Sequence, residues 1–141
     1  TQGLVLHSYG GSAEMVKPFA KLNCLFSFSA SILHIPKHAA ALRAVPLDRL
    51  LIETDSPDQA PHILRSKESE VPAAWGLPFS APKRDDSGTV NEPALLRGVC
   101  AGAADALGVQ PEVVAEATTA NAHRIFDFGR ILEHPAVDLS A

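Results

Sequence analysis

The sequence predicts an α/β fold with parallel strands. Two observations carry this. Strand-like apolar runs alternate with segments of helical spacing, in the order strand, helix, strand, helix, strand, helices. Such an order calls for parallel strands joined by right-handed crossovers. The third strand-like run, Arg49-Leu50-Leu51-Ile52-Glu53-Thr54, is apolar on both faces in its first half, as a strand covered by helices on each side must be. Three such strands fit either a small doubly wound sheet or a slice of a β/α barrel.

Residues 3–7 read as a short buried strand ending in the polar His7. Gly10-Gly11-Ser12 then makes a turn, with Ser12 as a helix cap. Met15, Phe19 and Leu22 recur at helical spacing. Pro18 is expected to kink that helix or end its first turns. Residues 24–30 form the second strand, and a helix fits 36–44, with Pro36 tolerated in its first turn. Pro46-Leu47-Asp48 is a turn, and residues 49–54 are the third strand.

Residues 58–90 break the rhythm with Pro61, Pro72, Pro78 and Pro82 and no clean period. A stretch this long without secondary structure is unusual inside a compact domain, so it reads as a flexible insertion, with one short helical turn near 67–71. Leu96, Val99, Cys100, Ala103 and Leu107 then share a helical face that Gly108 closes. A further helix starts at Pro111. A last short one, capped by Thr119, carries Ala122, Ile125 and Phe126. The expected organisation is one unit over 1–128 and a loosely ordered tail over 129–141.

With 141 residues the chain can bury one ordinary core. Its net charge of −4 is opposite in sign to that of proteins that hold nucleic acid by charge alone. No apolar run approaches the roughly 18–20 residues needed to cross a bilayer, and no membrane partner is expected. Cys24 and Cys100 stand alone and form no paired motif, which favours a reducing compartment, cytoplasmic or nuclear. The chain begins at Thr1, with a strand by Leu4. It is expected to be a piece of a longer protein with no signal peptide ahead of that strand.

In either parallel architecture, functional groups gather at the C-terminal strand ends. These ends carry His7-Ser8, then Ser27 and Ser29, then Glu53-Thr54-Asp55. A histidine and a carboxylate on neighbouring strand ends suit a divalent metal with nitrogen and oxygen ligands. Alternation puts Glu53 and Asp55 on the face of Leu51, where an inward glutamate needs a ligand or a cationic partner. The plainer reading makes His7 a hydrogen-bonded structural residue and Asp55, before Ser56-Pro57, a turn-former. His34 and His38 could share a helical face, but no third ligand accompanies them, and they read as a solvated pair. His62, His123 and His134 receive no function. Ser8 has no base nearby in sequence, which argues against a nucleophile.

Five blocks resemble the TatD family of metal-dependent deoxyribonucleases. Leu6-His7-Ser8-Tyr9-Gly10-Gly11-Ser12 is similar to its L-H-x-F-x-G-S segment, and Phe26-Ser27-Phe28-Ser29-Ala30 to its I-S-F-S-G strand. The stretch from Pro46 through Leu50, Glu53 and Asp55 to Pro57 is similar to P-x-D-R-L-L-x-E-T-D-x-P. Asn91-Glu92-Pro93 resembles the N-E-P that opens the next helix. Thr119-Ala120-Asn121-Ala122-His123-Arg124-Ile125-Phe126 resembles the terminal T-x-N-A-x-R-L-F. Together they run in the family order from residue 4 to 126.

The resemblance implies the C-terminal part of a TIM-type β/α barrel of the metal-dependent hydrolase superfamily, with these strands as its last three. It implies a site of two divalent metal ions, with Mg, Zn and Mn not distinguished. His7 and Asp55 match two of the metal ligands, and Asp55 is also a candidate to accept a proton from the attacking water. Glu53 stands beside them as a possible supporting residue. The family's H-x-H pair, its ligating glutamate and its other histidine have no counterpart in this sequence. The implied activity is hydrolysis of phosphodiester bonds in DNA by two-metal water activation, with little activity expected of these residues alone. Two alternatives stay open. One is a non-catalytic half-barrel that associates with itself or a partner through open sheet edges. The other is a related amide or ester hydrolase. The sequence departs from the family at Ala30, where glycine is usual, and at Asp58-Gln59 and the insertion that follows. Lys83 and Arg84 could meet phosphate, although a solvated charge pair is the simpler reading.

Overall fold

The computed structural model describes residues 3–59 and 91–126. Strands β1 (Leu4–Leu6), β2 (Cys24–Phe28) and β3 (Leu50–Ile52) form one sheet in the order β1-β2-β3. Both pairings are parallel, with Leu4 beside Cys24 and Phe26 beside Leu50. Helix α1 (Ala13–Lys21) joins β1 to β2, and α2 (Pro36–Ala44) joins β2 to β3. Helices α3 (Leu96–Leu107) and α4 (Pro111–Phe126) follow. The expected parallel α/β alternation is therefore what forms. The insertion beyond Gln59, the helical turn near 67–71, His62, Lys83, Arg84, His134 and the 129–141 tail lie outside the described residues.

The central strand β2 is buried along its whole length. Phe26, Phe28 and Leu50 point to the helix side and join Val16 of α1, Leu42 of α2 and Val99 of α3 in the main cluster. Leu25 and Leu51 point to the other side, where Ile125 of α4 covers them. Tyr9 bridges the β1–α1 loop to this core. Its ring meets Phe26 and Phe28 edge-on at centroid distances of 5.1 and 6.0 Å.

Several local expectations are corrected. Pro18 does not end α1, which runs on to Lys21. Pro18 is the sixth residue of the helix, so its missing N–H removes a single backbone bond, and burial of Val16 holds the segment in place. The buried face of α1 is Val16 with Phe19 and Ala20, while Met15 and Leu22 are exposed. Ser12 stands at the cap position but makes no side-chain cap bond; its carbonyl instead accepts from the Tyr9 hydroxyl at 3.0 Å. The second strand stops at Phe28, because Ser29 caps a 3-10 turn over Ala30–Leu33. The third strand is Leu50–Ile52, after a 3-10 turn at Leu47–Arg49. In α3 the buried residues are Val99 and Ala103 with Gly98, Ala101, Gly102 and Ala104, and Leu96 is exposed. Small side chains let this helix approach closely; a Cβ on Gly102 would sit 2.1 Å from a methyl of Leu33. Gly108 closes α3 at φ 69, as its type allows.

The two expected C-terminal helices are one, and Thr119 is an exposed mid-helix residue rather than a cap. Within the helix the Thr118 hydroxyl donates back to the Val114 carbonyl at 2.9 Å, and a tertiary contact explains the continuity. The buried Asn121 amide donates to the carbonyls of Leu47 and Leu50 at 2.7 and 2.9 Å. It thereby ties α4 to the start of β3. Asn121→Ala strands two carbonyl acceptors and is expected to lower unfolding free energy by about 2 kcal/mol in urea titration. Thr119→Ala is expected to stay within about 0.5 kcal/mol of wild type. Equal effects would overturn the anchoring role.

Candidate metal centre

The strand register carries on past the ends of β1 and β3. The Tyr9 N–H donates to the Ser27 carbonyl at 2.8 Å, and the Glu53 N–H donates to the Phe28 carbonyl at 2.9 Å. These two bonds fix where the chain leaves each strand. Ser8 and Asp55 then take left-handed backbone conformations, with φ of 46° and 61°. Such conformations are uncommon outside glycine and cluster where structure is held against preference.

The result brings the three sequence-predicted residues together. His7 Nε2 lies 3.2 Å from Glu53 Oε2 and 3.4 Å from Asp55 Oδ1. One donor atom from each lies within 4.8 Å of the others. The His7 side chain is 64% exposed, whereas Glu53 and Asp55 are 14% and 24% exposed. The cluster therefore sits at an open mouth with its carboxylates sunk behind the imidazole. The Ser27 hydroxyl donates to Glu53 Oε2. Glu53 Oε1 is buried without a hydrogen-bond partner among the described residues.

This donor set fits a divalent cation. An imidazole lone pair facing two carboxylate oxygens is repelled by both, and an N–H on Nε2 can serve only one of them, whereas a cation among the three donors serves all. An orphaned carboxylate oxygen in a buried position also lacks the compensation such groups normally have. Nitrogen and carboxylate donors together suit zinc, manganese or magnesium.

Three supporting residues escaped the sequence reading. Asn91 is buried, and its amide donates to the carbonyl of Thr54 at 2.6 Å and to that of Asp58. It therefore clamps the loop that presents Asp55. Its position just before Pro93 signalled only a helix start. Gln59 donates to Asp55 Oδ2, and Ser27 has the partner described above. Strand alternation placed Ser27 at the right strand end, but not against Glu53. His34 and His38 do not form a solvated pair. His38 Nδ1 lies 2.8 Å from the Ser31 hydroxyl, and its ring packs against the β1–α1 loop, where a Cβ on Gly10 would lie 3.2 Å from Nε2. A recess of about 300 Å³ between β3, α3 and α4, lined by Leu51, Leu96, Cys100 and Ala122, shares no residue with the cluster.

The sequence model of the TatD related DNase family matches residues 1–127. The chain belongs to this family. The TatD-type chain is 30% identical over 126 residues to a Bacillus subtilis protein named "Uncharacterized metal-dependent hydrolase YabD", covering 88% of this chain and 41% of the relative. It is 34% identical over 126 residues to the similarly named YcfH of Escherichia coli K12, covering 88% of this chain and 39% of the relative. The chain thus spans about two-fifths of the length of these relatives. Among solved structures, the TatD homologue YjjV of Escherichia coli K12 superposes with a TM-score of 0.65 at 21% identity, over 89% of this chain and 41% of that one. An amidohydrolase of Saccharomyces cerevisiae matches with TM-score 0.65 at 21% identity, over 88% and 40%. Parallel sheet and helices correspond to part of a TIM-type barrel, and the family is one of metal-dependent hydrolases. Among the described residues no helix is long and apolar enough to cross a membrane.

The pKa of His38 is lowered from 6.5, first by burial and then by the positive Lys37 and by His34. The folded chain therefore binds fewer protons there than the unfolded chain. This contribution to stability is present above pH 6.5 and lost as pH falls below it. The urea midpoint is expected to drop as pH is lowered through 6.5, and to drop less in His38→Asn. An unchanged pH slope in the variant would show that His38 is not the source.

Proposed function

We propose that this chain carries part of the active site of a metal-dependent deoxyribonuclease, with His7 and Asp55 as ligands of a divalent centre. The convergence of His7 Nε2, Glu53 Oε2 and Asp55 Oδ1 at the strand ends is the observation that supports it most. The orphaned Oε1 of Glu53 adds to it. Divalent ions bound here would lower the pKa of a water and stabilise charge on a phosphoryl oxygen. Asp55 holds an oxygen toward His7 and would accept the proton of the attacking water. Glu53, oriented by Ser27, supports His7 from the sunken side of the mouth. The family's own description as a DNase favours a phosphodiester in DNA as substrate. The acidic net charge fits binding of phosphate through metal rather than through a basic surface. The remaining ligands of a two-ion site would come from outside these residues.

Both outer strands have an unpaired edge among the described residues, and Leu4 on β1 is 66% exposed. We infer that these edges associate with further barrel strands or a second copy.

The reading is tested by titrating Mn²⁺ into the full chain and assaying cleavage of a DNA oligonucleotide by the full-length protein. Saturable Mn²⁺ binding is expected, and loss of that binding in His7→Ala and Asp55→Asn. Cleavage is expected to fall by at least about a hundredfold in Asp55→Asn. Mn²⁺ affinity unchanged in both variants would overturn the metal centre. Cleavage of an activated ester with none of DNA would overturn the nuclease assignment and favour an ester hydrolase.

A further inference from the structure

Gln59 stands where the sequence departs from its family, and its side chain meets the Asp55 oxygen that does not face His7. Its Nε2 donates to Asp55 Oδ2, whereas Asp55 Oδ1 lies 3.4 Å from His7 Nε2. An ionised carboxylate only accepts, so the NH₂ end of the amide is the end that meets Asp55. The two oxygens of Asp55 are therefore unlike. One faces the candidate centre, and the other is occupied by a neutral donor.

The backbone sets this pair up. Asn91, 3% exposed, donates to the carbonyls of Thr54 and Asp58. These are the residues immediately before Asp55 and Gln59, so one buried amide holds the start of both. Asp55 and Gln59 also share the left-handed backbone region, at φ of 61° and 53°. The clamp thereby fixes how far apart the two residues leave the loop. A hydrogen bond to an ionised acceptor is roughly twice as strong as one between neutral groups, which favours this contact against water. Gln59 itself is exposed, so a change there leaves the core untouched.

The number of oxygens that a carboxylate offers bears on which ion it holds. Ca²⁺ takes about 6–8 oxygen ligands in flexible geometry and readily accepts both oxygens of one carboxylate. Mg²⁺ is smaller, demands a near-ideal octahedron and keeps several waters. It has little use for a second oxygen from the same group. For Ca²⁺ to take both oxygens of Asp55, the bond from Gln59 must break. For Mg²⁺ to take Oδ1 alone, it need not. Selectivity is a difference between two affinities, and this contact weighs on one of them only.

We propose that Gln59 is a positioning residue that keeps Asp55 a one-oxygen ligand and thereby biases the centre toward Mg²⁺ over Ca²⁺. The role rests on the metal-centre reading, since it concerns which ion Asp55 holds. The contact itself exists without metal and can be tested without it.

Two measurements on the full chain decide the matter. In the first, Mg²⁺ and Ca²⁺ each displace bound Mn²⁺, and the electron paramagnetic resonance signal of released Mn²⁺ gives both affinities. Gln59→Met keeps the length of the side chain and removes the donor. It is expected to raise the affinity for Ca²⁺ relative to Mg²⁺ about tenfold, and Gln59→Leu to shift the ratio the same way. A merely structural role in the loop moves both affinities together and leaves their ratio where it was. A ratio that fails to rise in either variant overturns the positioning role while leaving the metal centre intact. A wild type that binds no Mn²⁺ overturns the metal centre, and the role of Gln59 with it. In the second measurement, NMR of the metal-free chain reads the side-chain NH₂ of Gln59. A proton of this group is expected downfield of its position in free glutamine, and to move back in Asp55→Asn. A Gln59 amide indifferent to Asp55→Asn overturns the contact on which the proposal stands.

Discussion

Two backbone hydrogen bonds, from Tyr9 to the Ser27 carbonyl and from Glu53 to the Phe28 carbonyl, hold the candidate site in register. Each extends a parallel pairing beyond the last residue of a strand. Because β2 lies between β1 and β3, it is the common reference for both flanking segments. His7 and Glu53 face each other only while both bonds hold. A slip by one residue would turn His7 or Glu53 to the opposite face of the sheet. Burial makes such a slip costly: β2 is enclosed on both faces, so every alternative register exposes a phenylalanine or a leucine.

Beyond that register, the site depends on polar groups held by the backbone. Asn91 binds two carbonyls of the loop that carries Asp55, and Ser29 caps the turn that ends β2. These bonds do little for hydrophobic burial. They fix the direction in which a loop leaves the sheet, and a site needs its side chains fixed more closely than a core does. The left-handed conformations of Ser8 and Asp55 fit this division of labour, since the surrounding contacts define them.

Helices α3 and α4 serve the site indirectly. Glycine and alanine on α3 allow close approach to the 3-10 turn that follows β2. Asn121 joins α4 to the beginning of β3. The Asn121 bonds hold β3 from the end opposite the His7 cluster, whereas the α3 contact holds the turn at the cluster's own end. The candidate metal site and the Asn121 anchor are thereby separated along β3, as chemistry and stability commonly are in β/α barrels.

The sequence by itself determined the parallel α/β order and the three residues at the strand ends, and the resemblance of five motif blocks implied the family. The order and the strand ends are legible because apolar periodicity and strand alternation are local properties of the chain, and each motif block is a contiguous segment. Helix continuity through Pro18 and through Thr118 to Asn121 was not legible. Local propensity argues for breaks there, and burial of Val16 and the bonds of Asn121 override it. The buried face of α1 was misplaced by one step, because Met15 and Val16 are both apolar and only packing selects between them. The roles of Asn91, Gln59, Ser29 and His38 came from tertiary structure alone. Each depends on a polar contact between residues distant in sequence, or on the angle at which a loop leaves the sheet, and neither quantity is encoded in periodicity or composition.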